Sequence, residues 1–427
     1  MGVLSKILRV VLCAILPSTV RKAVFYRIDK TKKALTSNLE LKIFWRVLFF
    51  PIVLLVSLLV GILKTILIWI FPARVYNNWQ YIINQIYTDV SVRNTGIKLA
   101  KRRAELCYEL FTKGAEKKVS YGEKNPDKVF YVIRPYYFLE PNEFIFNNVA
   151  NLLTQYYYCL QKLSLAVEKG WIPVVDWENY GKLPHSEDTP VNGTMNSWEY
   201  YWCQPSPYTL EEIYQSKNVI LSTRNIGQFG YIPNCAMTPP FNQYAERLRQ
   251  LCPQYAALIP FNQVTEEYIQ KAQSALFPPN KRILGVVVRG ASYGRVETPY
   301  RSHPVQVGMN ELIRTVKIYL KEWEMEYIFF VNEMQELVEI MKEEFGEKLI
   351  VLPRLRDHLD RPTDGETKNP MYYPGNRYQS NLDYVTEIAL LSKCTALIGS
   401  MSSGARASLI WNDGNFEQVH IFEKGLW

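Results

Sequence analysis

Two short segments of the 427-residue chain carry side chains suited to holding an anion. The first is Val288-Arg289-Gly290-Ala291-Ser292-Tyr293, which follows directly on the apolar run ILGVVV. An arginine at the carboxyl end of a buried strand presents a planar guanidinium that can clamp a phosphate through two hydrogen bonds. The same placement also suits an interdomain salt bridge. The second is Gly399-Ser400-Met401-Ser402-Ser403-Gly404, set between the apolar run TALIGS and the helical run ARASLIWN. Backbone amides at a helix N-terminus, with hydroxyls beside them, make an anion site, although a serine there also serves as a plain helix cap. No GxxxxGK[ST] loop occurs, neither segment is a GxGxxG turn, and there is no DxD pair to carry a metal–diphosphate complex. The seven cysteines (Cys13, Cys107, Cys159, Cys203, Cys235, Cys252 and Cys394) form no CxxC and no Cys/His cluster, which argues for buried free thiols and against zinc.

These segments sit in a regular alternation of strand-like and helix-like stretches. From Lys128 the order is strand KVFYVI, a helical run from Phe144 to Lys169 closed by Gly170, strand WIPVVDW, helix LEEIYQSK and strand NVILS. Residues 223–280 are irregular, with helical pieces near 241–251 and 265–275. A second block opens at Arg282 with strand ILGVVVRG, then helix 308–323, strand YIFFVN, helix MQELVEIMKEEFG and strand KLIVLP. After a polar loop over 354–382 come helix DYVTEIALLSK, strand TALIGS, helix SGARASLIWN and strand VHIFE. Alternation of this kind predicts an α/β fold with parallel sheets built from right-handed βαβ units. Two such blocks facing each other leave a ligand cleft at the carboxyl ends of their strands.

With these motifs in place the sequence resembles a family. LGVVVRGASY, then His303-Pro304-Val305-Gln306, then YIFFVNEMQELVEIMKEEFGEKLI, then LLSKCTALIGSMSSGARASL follow in order the pattern of the fucosyltransferase-like GT-B glycosyltransferases. That group holds the α1,6- and protein O-fucosyltransferases and bacterial polysaccharide relatives, and VVDWENY with NSWEYYW is similar to the bacterial branch. The resemblance covers roughly residues 125–427. It implies two Rossmann-like domains, an acceptor domain over 125–280 and a donor-nucleotide domain over 281–427. It also implies a GDP-sugar co-substrate such as GDP-fucose, inverting transfer, and no cofactor or metal. On this resemblance Arg289 binds the donor's β-phosphate and stabilises the leaving diphosphate, while His303 lies near the nucleotide. Ser402, Ser403 and Gly404 match the serine motif that lines the pyrophosphate, Glu333 joins the donor set, and Glu297 matches an acid suited to general base. Two departures remove carboxylates that the family keeps near the donor: Ser292 stands where an Asp is usual, and Asn332 stands in the strand end that commonly reads Thr-Asp or Glu-Asp. A catalytically silent nucleotide- or glycan-binding scaffold on the membrane is therefore the alternative to an active transferase.

Charge separates the N-terminus from the body. The chain carries 49 Lys/Arg against 41 Asp/Glu. Residues 1–46 alone hold ten Lys/Arg and two acids, so the rest is balanced. A neutral body excludes nucleic acid as an expected partner. The basic head precedes Val47 to Phe71, an apolar stretch broken only by Lys64. Its 25 residues exceed the roughly 20 needed to cross a hydrocarbon core, and nearby basic residues favour anionic lipid by about 1 kcal/mol each. The chain thus reads as a basic amphipathic head (1–46), a membrane segment (47–71) and a helical connector (72–124) ahead of the α/β body. It is attached to membrane lipids through residues 1–71. Both flanks of the apolar stretch are basic, so a single-pass anchor and a monotopic segment both fit, and the side of the body is open. The resemblance implies a glycan or lipid-linked acceptor, for which aromatic residues such as Trp177, Tyr180, Trp198, Tyr200, Tyr201 and Trp202 offer stacking faces.

Overall fold

The computed structural model describes residues 117–135, 151–180, 183, 185–222, 237, 239–290, 304–358 and 375–426. The stretch read as a membrane segment and the basic head before it lie outside them. Among the described residues no helix is long and apolar enough to cross a membrane.

The first block is a four-stranded sheet in the order β1-β4-β2-β3, from β1 (Lys117–Val119), β2 (Phe130–Ile133), β3 (Ile172–Val175) and β4 (Val219–Leu221). Strands β2, β3 and β4 run parallel, while β1 pairs antiparallel with β4. This sheet is therefore mixed rather than purely parallel. Strand β1 also falls within the stretch read as a helical connector: Lys-Lys-Val pairs with the apolar edge Val219–Leu221 in place of continuing a helix. Helix α1 (Leu152–Lys169) crosses from β2 to β3. Asn151 caps it by accepting from the Thr154 amide at 2.9 Å, and Gly170 ends it at φ 67°, a left-handed turn that glycine adopts without a side-chain penalty. Helix α2 (Leu210–Ile213) leads into β4.

Three helices join the blocks: α3 (Phe241–Leu251), α4 (Pro253–Ala256) and α5 (Gln263–Leu276). Helix α3 has no cap of its own. The Glu423 carboxylate accepts from the Phe241 and Asn242 amides at 2.8 and 2.6 Å, and the Asn242 side chain bonds both the N–H and the C=O of Ile421. The chain's last strand is thereby tied to the helix that leaves the first block.

The second block is an all-parallel five-stranded sheet in the order β7-β6-β5-β8-β9. It comprises β5 (Ile283–Val287), β6 (Tyr327–Val331), β7 (Leu349–Ile350), β8 (Ala396–Gly399) and β9 (Gln418–Ile421). Helices α6 (Met309–Glu322), α7 (Gln335–Phe345), α8 (Arg377–Ser392) and α9 (Ser403–Trp411) connect them. Burial on both faces explains the unbroken apolar runs: on one face Leu284, Val286, Ile328, Phe330, Ala396 and Ile398 pack with Leu312, Val316, Val338 and Met341, and on the other Ile283, Val287, Phe329, Val331 and Leu397 are buried as well. Reversal of the strand order on either side of β5 puts a topological switch point at its carboxyl end, which is where open parallel sheets bind ligands.

A loop of the first block fixes the start of α8. The Glu187 carboxylate accepts from the Gly375 and Tyr378 amides at 3.1 and 2.8 Å, acting as the cap the helix lacks, and Arg377 donates to the Ser186 carbonyl at 2.9 Å. Beside it His185 is buried against Trp177, ring centroids 5.4 Å apart, and its Nε2 makes no hydrogen bond among the described residues. Burial disfavours the imidazolium and pulls the His185 pKa down to about 3 from an ordinary 6.5. A group with a depressed folded pKa stabilises fully above its unfolded pKa. Stability should therefore be constant with respect to His185 above pH 6.5 and fall by about 1.4 kcal/mol per pH unit from there toward pH 3. Urea unfolding midpoints across that range, compared with a His185→Phe protein whose slope is shallower, check this; equal slopes would refute it.

Candidate functional site

Three parallel strands of the second block deliver the sequence-predicted residues to one end of the sheet. Strand β5 runs out at Val287, placing Arg289 just beyond it with a half-buried side chain. Its backbone is held from two sides. The Arg289 amide donates to Gln306 Oε1 at 3.0 Å, and the preceding Val288 carbonyl accepts from Asn332 Nδ2 at 2.8 Å. Gln306 also donates from Nε2 to the carbonyls of Pro304 (3.1 Å) and Met401 (3.4 Å), so one amide side chain spans the loops after β5 and β8. Ser400 strengthens the same seam: its Oγ accepts from the Val307 amide at 3.2 Å and its own amide donates to the Val287 carbonyl at 3.1 Å.

Asn332 has a physical reason to be an amide. Its Nδ2 donates to Val288 while its Oδ1 accepts from the Met334 amide at 2.8 Å. A carboxylate has no donor and could not make the first of these bonds. Asn332 is thus a strut between the ends of β5 and β6. It leaves no space beside Gly290, where a Cβ would stand 2.2 Å from Met334 Cγ and 2.7 Å from Asn332 Oδ1. Glu333 follows immediately, its Cγ 3.1 Å from the same point, which sets it next to the Arg289-Gly290 turn. Gly399 is equally constrained, a Cβ there falling 2.8 Å from the Val287 carbonyl oxygen.

The serine loop forms the third wall. Ser402 caps α9, its Oγ accepting from the Ala405 amide at 3.1 Å. The amides of Ser403 and Gly404 come before the first intrahelical bond, so helix geometry leaves them pointing out of the N-terminus with its partial positive charge. The Ser403 hydroxyl is 2.8 Å from Thr154 Oγ1 on α1, a bond that joins the two blocks at the mouth of the site. The structure thus brings Arg289, Glu333, Ser402, Ser403 and Gly404 together. Glu297, His303 and Ser292 lie outside the described residues, although Pro304 to Gln306 runs between Arg289 and Met401.

Behind the site sits a buried ionic triad that the sequence did not suggest. Glu387 of α8 accepts from Arg354 Nε and Nη2 at 3.0 and 2.8 Å and from Arg356 Nη2 at 3.3 Å. Burial alone pulls both guanidinium pKa values down. For Arg354 the Glu387 carboxylate overrides burial and the net shift is upward, whereas for Arg356 burial wins. Arg354 also donates from Nη2 to the Asn332 carbonyl at 3.1 Å, linking the triad to the strut.

In the first block the carboxyl ends of the strands carry Arg134, Asp176 and Ser222. Asp176 is consumed locally, accepting from the Glu178 and Asn179 amides and from Tyr214 Oη. Glu178 is exposed beside it, its pKa raised by partial burial and by Asp176 and Glu199. The aromatic residues read as stacking faces prove otherwise. Trp177, Trp198, Tyr200, Tyr201 and Trp202 are all at most 2% exposed and pack on one another, leaving only Tyr180 half-buried. Among the described residues no group of His, Cys, Asp and Glu is placed to hold a metal ion.

No protein-family model and no curated protein matches the chain. Solved structures to which it is similar include fucosyltransferases. The α-1,6-fucosyltransferase NodZ from Bradyrhizobium, in crystals soaked with GDP-fucose, shares 13% identity over 66% of this chain and 93% of that one, with a TM-score of 0.36. POFUT1 in complex with GDP-fucose gives 10% identity, 70% and 75% coverage and a TM-score of 0.28. A FUT1 variant of Arabidopsis thaliana in complex with GDP gives 11%, 82% and 79%, and 0.34. Each of these likenesses is remote.

Proposed function

We propose that this protein is a membrane-associated GT-B glycosyltransferase that moves fucose or a related sugar from a GDP-sugar to a glycan or lipid-linked acceptor. Transfer inverts the anomeric centre and uses no metal. The observation that carries the reading is Arg289, fixed at the end of β5 beside the N-terminus of α9. A guanidinium on a fixed backbone and two first-turn amides suit a diphosphate better than a neutral ligand, because all of them complement negative charge. The four ordered sequence segments supply the nucleotide and the sugar class.

In this reading the acceptor hydroxyl oxygen attacks the anomeric carbon from the face opposite the diphosphate. The bond to the β-phosphate oxygen breaks, and its electron pair leaves with GDP. Arg289 and the α9 amides meet the charge that develops there, the kind of stabilisation that contributes most when it is pre-set. The proton of the acceptor goes to a carboxylate, assigned to Glu297 on the sequence resemblance alone. Residues 1–71 attach the enzyme to lipid, as a single-pass or monotopic segment.

Calorimetry with GDP, UDP and ADP tests the core of this. GDP should bind at micromolar Kd and outcompete the other two, and GDP-fucose should be hydrolysed slowly or transferred when acceptor is supplied. GDP binding without turnover would favour the silent scaffold. Absence of GDP binding at 1 mM (~4 kcal/mol) would remove the nucleotide-sugar reading altogether.

A further inference from the structure

The geometry points to Tyr384 as a phosphate-binding residue of the donor site, its phenol donating a hydrogen bond to the diphosphate beside Arg289. This rests on the nucleotide-sugar reading above and adds to it a residue that no sequence motif marks. Tyr384 and Ile388 lie one turn apart on α8 and face the start of α9. A Cβ on Gly404 would be 3.3 Å from Tyr384 Oη and 2.9 Å from Ile388 Cδ1. The phenol oxygen therefore reaches the first turn of α9, where the Ser403 and Gly404 amides emerge.

Its electrostatic surroundings place it with the other donor-site groups. Glu333, Arg354, Glu387 and Arg289 all act on it, two carboxylates and two guanidiniums around one hydroxyl. Burial, then Glu333, hold its pKa well above the usual phenol value, so it remains a neutral O–H donor throughout the physiological range. Among the described residues no group accepts a hydrogen bond from it, although Tyr180, Tyr214 and Tyr268 of the same chain each engage a partner. A half-buried phenol in this position keeps its donor for an acceptor that completes it. A phosphate oxygen, held by Arg289 and the α9 amides, would do so.

The alternative role is a spacer that sets the separation of α8 and α9. Tyr384→Phe separates the two, since it keeps the ring and removes only the donor. Titration calorimetry with GDP, inorganic diphosphate and guanosine is run on wild type, Tyr384→Phe and Arg289→Ala. We expect Tyr384→Phe to weaken GDP and diphosphate about tenfold, leave guanosine unchanged and leave the thermal midpoint within about 2 °C. Equal affinity of Tyr384→Phe and wild type for GDP, with Arg289→Ala still impaired, would overturn the assignment and spare the nucleotide-sugar reading. Loss of guanosine affinity equal to that of GDP would also overturn it, by placing the phenol on the nucleoside. Wild-type protein that binds neither GDP nor diphosphate would dispose of both.

Discussion

Replacing Arg289 with alanine should lower transfer from a GDP-sugar about 10²–10³-fold while leaving the protein folded. The two halves of this expectation have different origins. Folding is spared because the turn is held by its backbone: the Arg289 amide is bound by Gln306 and the Val288 carbonyl by Asn332, neither of which touches the guanidinium. Transfer suffers because, on the proposed reading, the guanidinium meets the negative charge that builds up on the departing diphosphate. A donor of this kind gains most of its interaction as the bond breaks, so the loss belongs mainly in kcat, with a smaller rise in KM. Lysine at the same position keeps the charge but not the planar fork, and should recover only part of the rate. Steady-state kinetics of the three proteins, with GDP calorimetry beside them, read this directly. An Arg289→Ala enzyme with unaltered kcat would show that Arg289 does not stabilise the departing group.

How much of this could be read from the chain differs from element to element. The second sheet was legible because both its faces are covered: runs such as ILGVVV and YIFFV have no period, and only buried parallel strands tolerate that. The strand ends then placed Arg289 and the serine loop correctly, since alternation in a βαβ fold puts every such turn at one edge. The groups that hold those residues were not legible. Gln306, Asn332 and Thr154 act through hydrogen bonds to partners 17, 44 and 249 residues away, and no local pattern encodes such distances. Strand β1 was missed for a related reason. Three residues carry no period, and Lys117–Val119 becomes a strand only because β4 offers an edge. The aromatic cluster erred the other way: in a block with few aliphatic residues between 177 and 202, tryptophan and tyrosine are the core rather than a binding face.

The triad behind the site makes the largest stability prediction. Arg354, Glu387 and Arg356 have side chains 2%, 0% and 5% exposed, so all three charges are out of water. Removing the carboxylate as Glu387→Ala leaves two guanidiniums buried and uncompensated, which should cost about 3–5 kcal/mol. Glu387→Gln fills the space and can still accept one hydrogen bond, so it should lie between that and wild type. A buried triad is nevertheless weak evidence that the charges stabilise the fold, because an apolar set of similar volume commonly performs as well. The combined Arg354→Met, Glu387→Leu and Arg356→Leu protein should therefore regain most of the stability that Glu387→Ala loses. It should not regain the donor site. The Asn332 carbonyl would lose its bond from Arg354, and with it part of what steadies the strut under Arg289 and Glu333. Urea unfolding midpoints and GDP affinity should thus come apart in this protein, recovering in the first and remaining impaired in the second. If they recover together, the triad serves only the fold. If they separate as expected, two buried arginines have been retained for the geometry they impose on the anion site.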